Sequence, residues 1–174
     1  FQVVSLNWFF GVSGALTVTY TEPVNSTTPG LWTGTTSTDW NTAGNWDDGA
    51  VPTSSVNVNI PTGCSNYPSL SSNNHVCQSL TIQSGGSITS ASSGAKLVAA
   101  SIALNDGGTM TISDGEIEST GKMDCDGALY MSAPGILDVN GEFELSSTST
   151  ESITGGSIYC GGAWDGYNST TFTP

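Results

Sequence analysis

Apolar residues in this chain come in short alternating bursts, and the bursts recur at a regular interval. From about Val76 to Trp164 the apolar positions align in columns. Leu97, Ile117, Leu137 and Ile158 follow one another at steps of 20, 20 and 21 residues, and Ile82, Leu104, Cys125 and Leu145 at 22, 21 and 20. A looser column runs Ile88, Met110, Leu129, Ile153, and Gly115, Gly121, Gly135, Gly141, Gly155 and Gly161 recur between the bursts. Divided among three strands, such a period leaves room for roughly two inward side chains per strand. Coils of this kind stack as a parallel β-solenoid in which each coil bonds only its neighbours. The pattern therefore predicts an all-β fold, a short parallel β-helix of about four three-strand rungs, roughly 20 Å long. The competing fold is a β-sandwich, which has no reason to hold one step in three columns at once.

Two further regions precede the repeat. Residues 1–30 read as an apolar N-terminal arm and linker. The arm carries no charge before Glu22, and Leu16, Val18 and Tyr20 alternate against Thr17, Thr19 and Thr21 as in a half-buried strand. Its first half holds Phe1, Val3, Val4, Leu6, Trp8, Phe9, Phe10 and Val12 and is apolar on both faces, as a strand covered on both sides would be. Residues 31–174 read as the β-helix domain. It opens on a stretch where Trp32, Trp40 and Trp46 stand among turn formers, before the alternating strand Val56, Val58, Ile60. A solenoid must hide its ends, so these tryptophans are expected to cap the first rung rather than to form a sugar platform.

Charge narrows the partners. The chain has 174 residues, two lysines, no arginine and fifteen carboxylates, a formal net charge of -13. Without basic groups to displace counterions it is not expected to bind nucleic acid, nor an anionic membrane. The apolar start is too short to span a bilayer as a helix, which needs about 20 residues, so no membrane insertion is expected. No signal peptide with a basic start is visible, which reads as a mature product. Copies of so acidic a chain repel one another, so self-assembly needs burial, strand pairing or bound cations.

The combination Trp32-Thr33-Gly34, Asp39-Trp40, Asn45-Trp46, Gly49, Val51-Pro52 and Ile60-Pro61 is informative. It is followed by Asn66-Tyr67-Pro68, Ser79-Leu80-Thr81-Ile82 and Gly85-Gly86-Ser87-Ile88. This order resembles secreted bacterial β-helix surface and exported proteins of the kind abundant in Bacteroidetes, with related stretches in autotransporter-type passengers. The resemblance covers roughly residues 31–112 and implies export, a right-handed β-helix and tryptophans over its first rung. The arm before Trp32 is not part of that pattern.

Candidate chemistry is sparse, and no enzyme is expected. There is no arginine, no G-x-S-x-G turn, and the single histidine, His75, reads as a surface residue of the loop between Cys64 and Cys77. That loop contains Asn66, Pro68, Asn73 and Asn74, and a Cys64–Cys77 disulfide is expected to pin it, as suits an extracellular protein. Cys125 and Cys160 either pair with each other or stay as buried thiols. Asp124-Cys125-Asp126-Gly127 fails as a calcium hand because Lys122 and Ala133 take the first and twelfth positions. If Met123 and Phe143 point inward, however, Glu142 and Glu144 stand over Lys122 and Asp124, and Glu118 shares a column with Asp138. Stacked carboxylates repel, which makes Asp124, Glu144, Glu118 and Asp138 candidate calcium ligands against the alternative of a solvated acidic face. Asn25 and Asn168 head glycosylation sequons in expected loops.

The arm sets the functional expectation. Left in water it is an aggregation site, so it must be covered by its own solenoid or by a neighbouring copy. Donation to the next copy is a head-to-tail contact that yields open filaments. The sequence thus points to a structural subunit of an extracellular filament, a homopolymer built by N-terminal donor-strand exchange. A cell-surface adhesin or a carbohydrate- or calcium-binding module is the alternative.

Overall fold

The computed structural model describes residues 27–166, an all-β body with 46% of these residues in strands and wound as a parallel β-solenoid of about five turns. Each turn has three sides. The first face comprises residues 75–77 of β3 (His75–Ile82), 96–99 of β5 (Lys96–Leu104), β7 (Glu116–Ser119), β10 (Ile136–Val139) and β13 (Ser157–Cys160). On the second lie β1 (Asn57–Ile60), the later halves of β3 and β5, β8 (Met123–Cys125), β11 (Phe143–Leu145) and β14 (Trp164–Gly166). The third stacks β2 (Ser69–Leu70), β4 (Ser87–Ser90), β6 (Thr109–Ile112), β9 (Ala128–Met131) and β12 (Thr150–Ile153). All named strand pairs are parallel, in a nine-stranded and a five-stranded sheet.

Alternation along each strand sends two side chains inward, and register stacks them. On the second face Val58, Leu80, Ile102, Met123 and Phe143 form one buried column, and Ile60, Ile82, Leu104, Cys125 and Leu145 the other. The first face stacks Leu97, Ile117 and Leu137 with no measurable exposure. Each such side chain contributes about 1.5–3 kcal/mol by leaving water. Interior hydroxyls are satisfied: Ser90 Oγ donates to the Asp114 carbonyl at 2.8 Å and Ser119 Oγ to the Lys122 carbonyl at 2.9 Å.

Two columns match the expected steps, and the third does not. Leu129 is followed in register by Glu151, while Ile153 follows Met131. The turn at 146–149 is longer than its counterpart in the preceding coil, so counting apolar residues slips by one inward position. The coil containing β1 and β2 was also unseen, because an irregular turn over 61–68 hides its period; this explains about five turns rather than four.

The corner between the first and second faces shows what glycine does here. β3 and β5 run through it unbroken, whereas later coils carry one more residue and place Gly121, Gly141 and Gly162 there. A Cβ on Gly141 would lie 2.6 Å from the Gly121 carbonyl carbon and 3.0 Å from Lys122 N, both backbone. Coils at this corner touch main chain to main chain. Gly141→Ala is expected to cost about 1–3 kcal/mol, read as a lower denaturant midpoint with an unchanged slope.

Candidate functional site

The two ends of the solenoid differ, and the first is closed. Leu31 bridges in parallel to Asn59, Asp39 to Ser69, and Trp32 to Trp46 in antiparallel fashion, so residues 31–46 form an irregular coil beneath β1 and β2. Trp32 and Trp40 are fully buried and Trp46 nearly so. Trp32 and Trp40 each meet Trp46 edge-on with centroids 4.9 Å apart. Trp46 Nε1 donates to the Trp40 carbonyl and Trp32 Nε1 to the Asn66 carbonyl, both at 2.8 Å. Asn45, also fully buried, holds the loop: its Oδ1 accepts from the Thr36 and Ser37 amides, and its Nδ2 donates to Ser37 Oγ and the Asp39 carbonyl. These tryptophans cover the core and offer no free ring face to a sugar.

His75 is not a surface residue. It heads β3, points into the interior under Leu97, and is fully buried 6.0 Å from the Trp40 ring. Its Nδ1 lies 3.0 Å from the Lys96 carbonyl oxygen and its Nε2 3.3 Å from Ser72 Oγ. The Asn-rich composition around it suggested a solvated loop, but strand alternation governs its direction. Burial lowers its pKa below the ordinary 6.5, opposed by the bond to Lys96 and by Asp39.

The expected carboxylate columns are present: Glu118 pairs in register with Asp138, and Asp124 with Glu144. Lysines of the same chain meet Asp124, Glu144 and Glu118. Lys122 Nζ lies 2.8 Å from Asp124 and 3.0 Å from Glu144, and Lys96 Nζ lies 2.9 Å from Glu116 and 2.7 Å from Glu118. Glu118 also accepts from Asn140 Nδ2 at 3.0 Å. Donating to the Asp124 and Glu144 carboxylates raises the Lys122 pKa, and donating to those of Glu118 and Glu116 raises that of Lys96. Of the carboxylates suggested for calcium, Asp124 and Glu144 share the Lys122 ammonium and Glu118 meets that of Lys96, while Asp138 stands in register over Glu118. Among the described residues no group of three or more metal-binding side chains is gathered.

The Cys64–Cys77 bridge is likewise corrected, since all four cysteines are free. Cys77 points into the core from the first face, whereas Cys64 follows the second-face strand β1 and donates to the Trp32 and Pro61 carbonyls, both at 3.6 Å. Burial pushes the Cys77 and Cys125 thiols up to about 12 and raises Cys64, which makes these thiols poor nucleophiles. Cys160 stands apart, half-buried in β13 over Val139.

The second end has no capping coil among the described residues. β12 and β13 are the last described strands of their stacks and pair with no described residue on their outer edges, and β14 is the last described strand of the second face. Ile153, Ile158 and Cys160 are only partly covered, Tyr159 is 56% exposed and Trp164 40%. Trp164 stands edge-on over Phe143, centroids 4.9 Å apart. Glu151 takes an inward position there with its carboxylate bonded by Ser149 Oγ, as a charge can only where water still reaches. Reading the sequence missed Glu151 and the half-covered rung; the fading of apolar pairs after Leu145 is the signal that carries it. The arm residues, Phe1 to Tyr20, and the sequons at Asn25 and Asn168 lie outside the described residues.

Fold and ends together define a short parallel β-solenoid, closed by tryptophan at one end and ending, among the described residues, on β12, β13 and β14 at the other. Residues 31–117 match the family described as a domain of unknown function, DUF8693, and the chain belongs to that family. The match begins at Leu31, where the cap coil begins. No curated protein and no solved structure matches the chain. Among the described residues no helix is long and apolar enough to cross a membrane.

His75 supplies a pH test of the closed end. Its folded pKa lies below the unfolded value, so below about 6.5 the unfolded chain takes up a proton that the folded chain refuses, and stability falls as pH drops through that window. Melting temperature measured from about pH 7.5 to 5.5 should fall more steeply for the native protein than for His75→Leu. Parallel curves would remove His75 from the account.

Proposed function

We propose that this protein is a structural, non-catalytic subunit of an extracellular filament, joined head to tail by donation of its N-terminal arm to a neighbouring copy. The observation that carries the reading is the asymmetry of the ends. One is closed by three buried tryptophans, and at the other Ile153, Ile158, Cys160 and Tyr159 are partly bare on β12 and β13, whose outer edges pair with no described residue. An edge of this kind invites another strand, and one unlike pair of ends gives a heterologous contact that propagates instead of closing. The arm is suited to the role because it is apolar and free of charge up to Glu22, so it approaches an acidic body without repulsion. Lys96 and Lys122 are both occupied by carboxylates of their own chain, which leaves attraction between copies to burial and strand pairing. Deleting residues 1–20 should abolish filaments seen by electron microscopy while leaving a folded, β-rich monomer. Filaments of normal length from the truncated chain would refute the role.

A second reading, a carbohydrate-binding surface module, is favoured by the third face alone. Its outward side stacks Ser69, Thr89, Thr111, Tyr130 and Ser152 in register, without a charge, in a chain of net charge -13. Beside Tyr130, which is 39% exposed, a shallow cleft is lined by Thr111, Ser132, Ser152 and Thr154. An open aromatic ring with neutral hydroxyls around it suits an uncharged sugar ring. Calorimetric titration with cellohexaose and xylohexaose should show binding that Tyr130→Ala weakens at least about tenfold, a loss of about 1.4 kcal/mol. Absence of binding to either sugar would discard the module.

A further inference from the structure

We infer that the corner between the third and first faces holds a binding site for a small organic cation, an ammonium or guanidinium carried on an apolar body. Turn lengths make the site. The chain crosses this corner in residues 91–95 and 132–135, and between them in the shorter turn 113–115. That turn is drawn down onto the coil before it. The Ser113 amide donates to the Ser90 carbonyl at 2.8 Å, and the buried Ser90 hydroxyl donates to the Asp114 carbonyl at 2.8 Å. Gly115 permits the descent: its φ is +69°, and a Cβ there would lie 2.5 Å from the Ala95 carbonyl oxygen. A short turn sunk between two longer ones leaves a recess of about 290 Å³, whose lining includes Asn73, Lys96, Asp114, Glu116, Pro134 and Ile136.

The lining selects the ligand first by charge. Asp114 is held in orientation, since its Oδ1 accepts from the Gly115 amide at 2.7 Å, and among the described residues no cation meets it. The one ammonium in the recess, that of Lys96, is already shared between Glu116 at 2.9 Å and Glu118 at 2.7 Å. The recess therefore keeps a negative charge and repels an anion. A hard metal ion wants a shell of oxygen ligands, and no group of three or more metal-binding side chains is gathered among the described residues. A neutral sugar would find no aromatic ring in the lining.

Shape and polarity complete the selection. Ile136 follows Glu116 in register on the outward side of the first face, and Pro134 lies beside it in the turn. An aliphatic body laid against these two side chains brings its charged head to the carboxylates of the preceding coil. The volume lies at the small end of ligand pockets, about 300 Å³, which suits a short alkyl amine or a single lysine or arginine side chain. The site is separate from the surfaces invoked for assembly.

Titration of the full-length, isotope-labelled protein with cadaverine at low ionic strength, followed by amide NMR, should move the resonances of residues 94–96, 114–116 and 135–136 and leave the second face still. Asp114→Asn keeps the oxygen that receives the Gly115 amide and removes the charge. Cadaverine affinity should then fall at least about tenfold, as for loss of a hydrogen bond to a charged group. Glu142→Gln removes the same charge beside β11 and should leave the affinity unchanged. Acetyl-lysine methylamide separates the two sources of such a cation: tighter binding than cadaverine assigns the recess to a partner's side chain, weaker binding to a free amine. Equal losses from Asp114→Asn and Glu142→Gln would reduce the effect to the net charge of -13 and overturn the site. So would shifts spread over all three faces, equal shifts with pentanol, or no shifts with either amine.

Discussion

A coil of a parallel solenoid cannot satisfy its own backbone. Its amides and carbonyls point along the stack, so every strand depends on the coil before it and the coil after it. Within the stack this dependence is an advantage, because identical register aligns apolar side chains in continuous columns. At the ends it is a liability. The sequence meets it at one end with an irregular coil whose tryptophans fill the space under β1 and β3, stitched by Asn45 and Asn66. At the other end the columns give way to Glu151, Cys160 and Gly166, and no described strand follows β12 or β13 in their stacks.

The charge distribution follows the same logic. Parallel register stacks like charges as readily as it stacks leucines, and outward carboxylates on neighbouring coils would face each other directly. Lys122 bridges one such pair, Asp124 of β8 and Glu144 of β11, and Lys96 reaches across from β5 to both acids of β7. Exposed pairs of this sort are weak and screened by water, so they relieve repulsion more than they hold the fold together. Beyond Glu144 the column continues to Asp165, with no third lysine in the chain to bridge it. An approaching subunit therefore gains by presenting neutral surface.

Much of the fold was legible because adjacent coils keep nearly equal lengths. Leu97, Ile117, Leu137 and Ile158 stand in register as their spacing suggests, and so do Ile82, Leu104, Cys125 and Leu145. Legibility ended where turn length changes: the turn before β12 shifted the third column, and the turn over 61–68 concealed the coil containing β1. Composition misled at His75, whose neighbours Asn73 and Asn74 favour a loop although its own place on β3 turns it inward. Cys64 and Cys77 are close in sequence but lie on different sides of a corner, which spacing alone does not reveal. The carboxylate pairs were visible from alternation, while their bridging by lysine depends on side chains crossing between coils, a relation that no linear reading contains.

The central claim is that the end at β12 and β13 is the surface buried on assembly. Hydrogen exchange of backbone amides, measured on assembled and dissociated protein and resolved by peptide, addresses it directly. The account requires new protection over residues 150–166 and over the arm, with the cap region at 31–46 already slow to exchange in both states. Protection gained elsewhere, with 150–166 exchanging as freely after assembly as before, would contradict it.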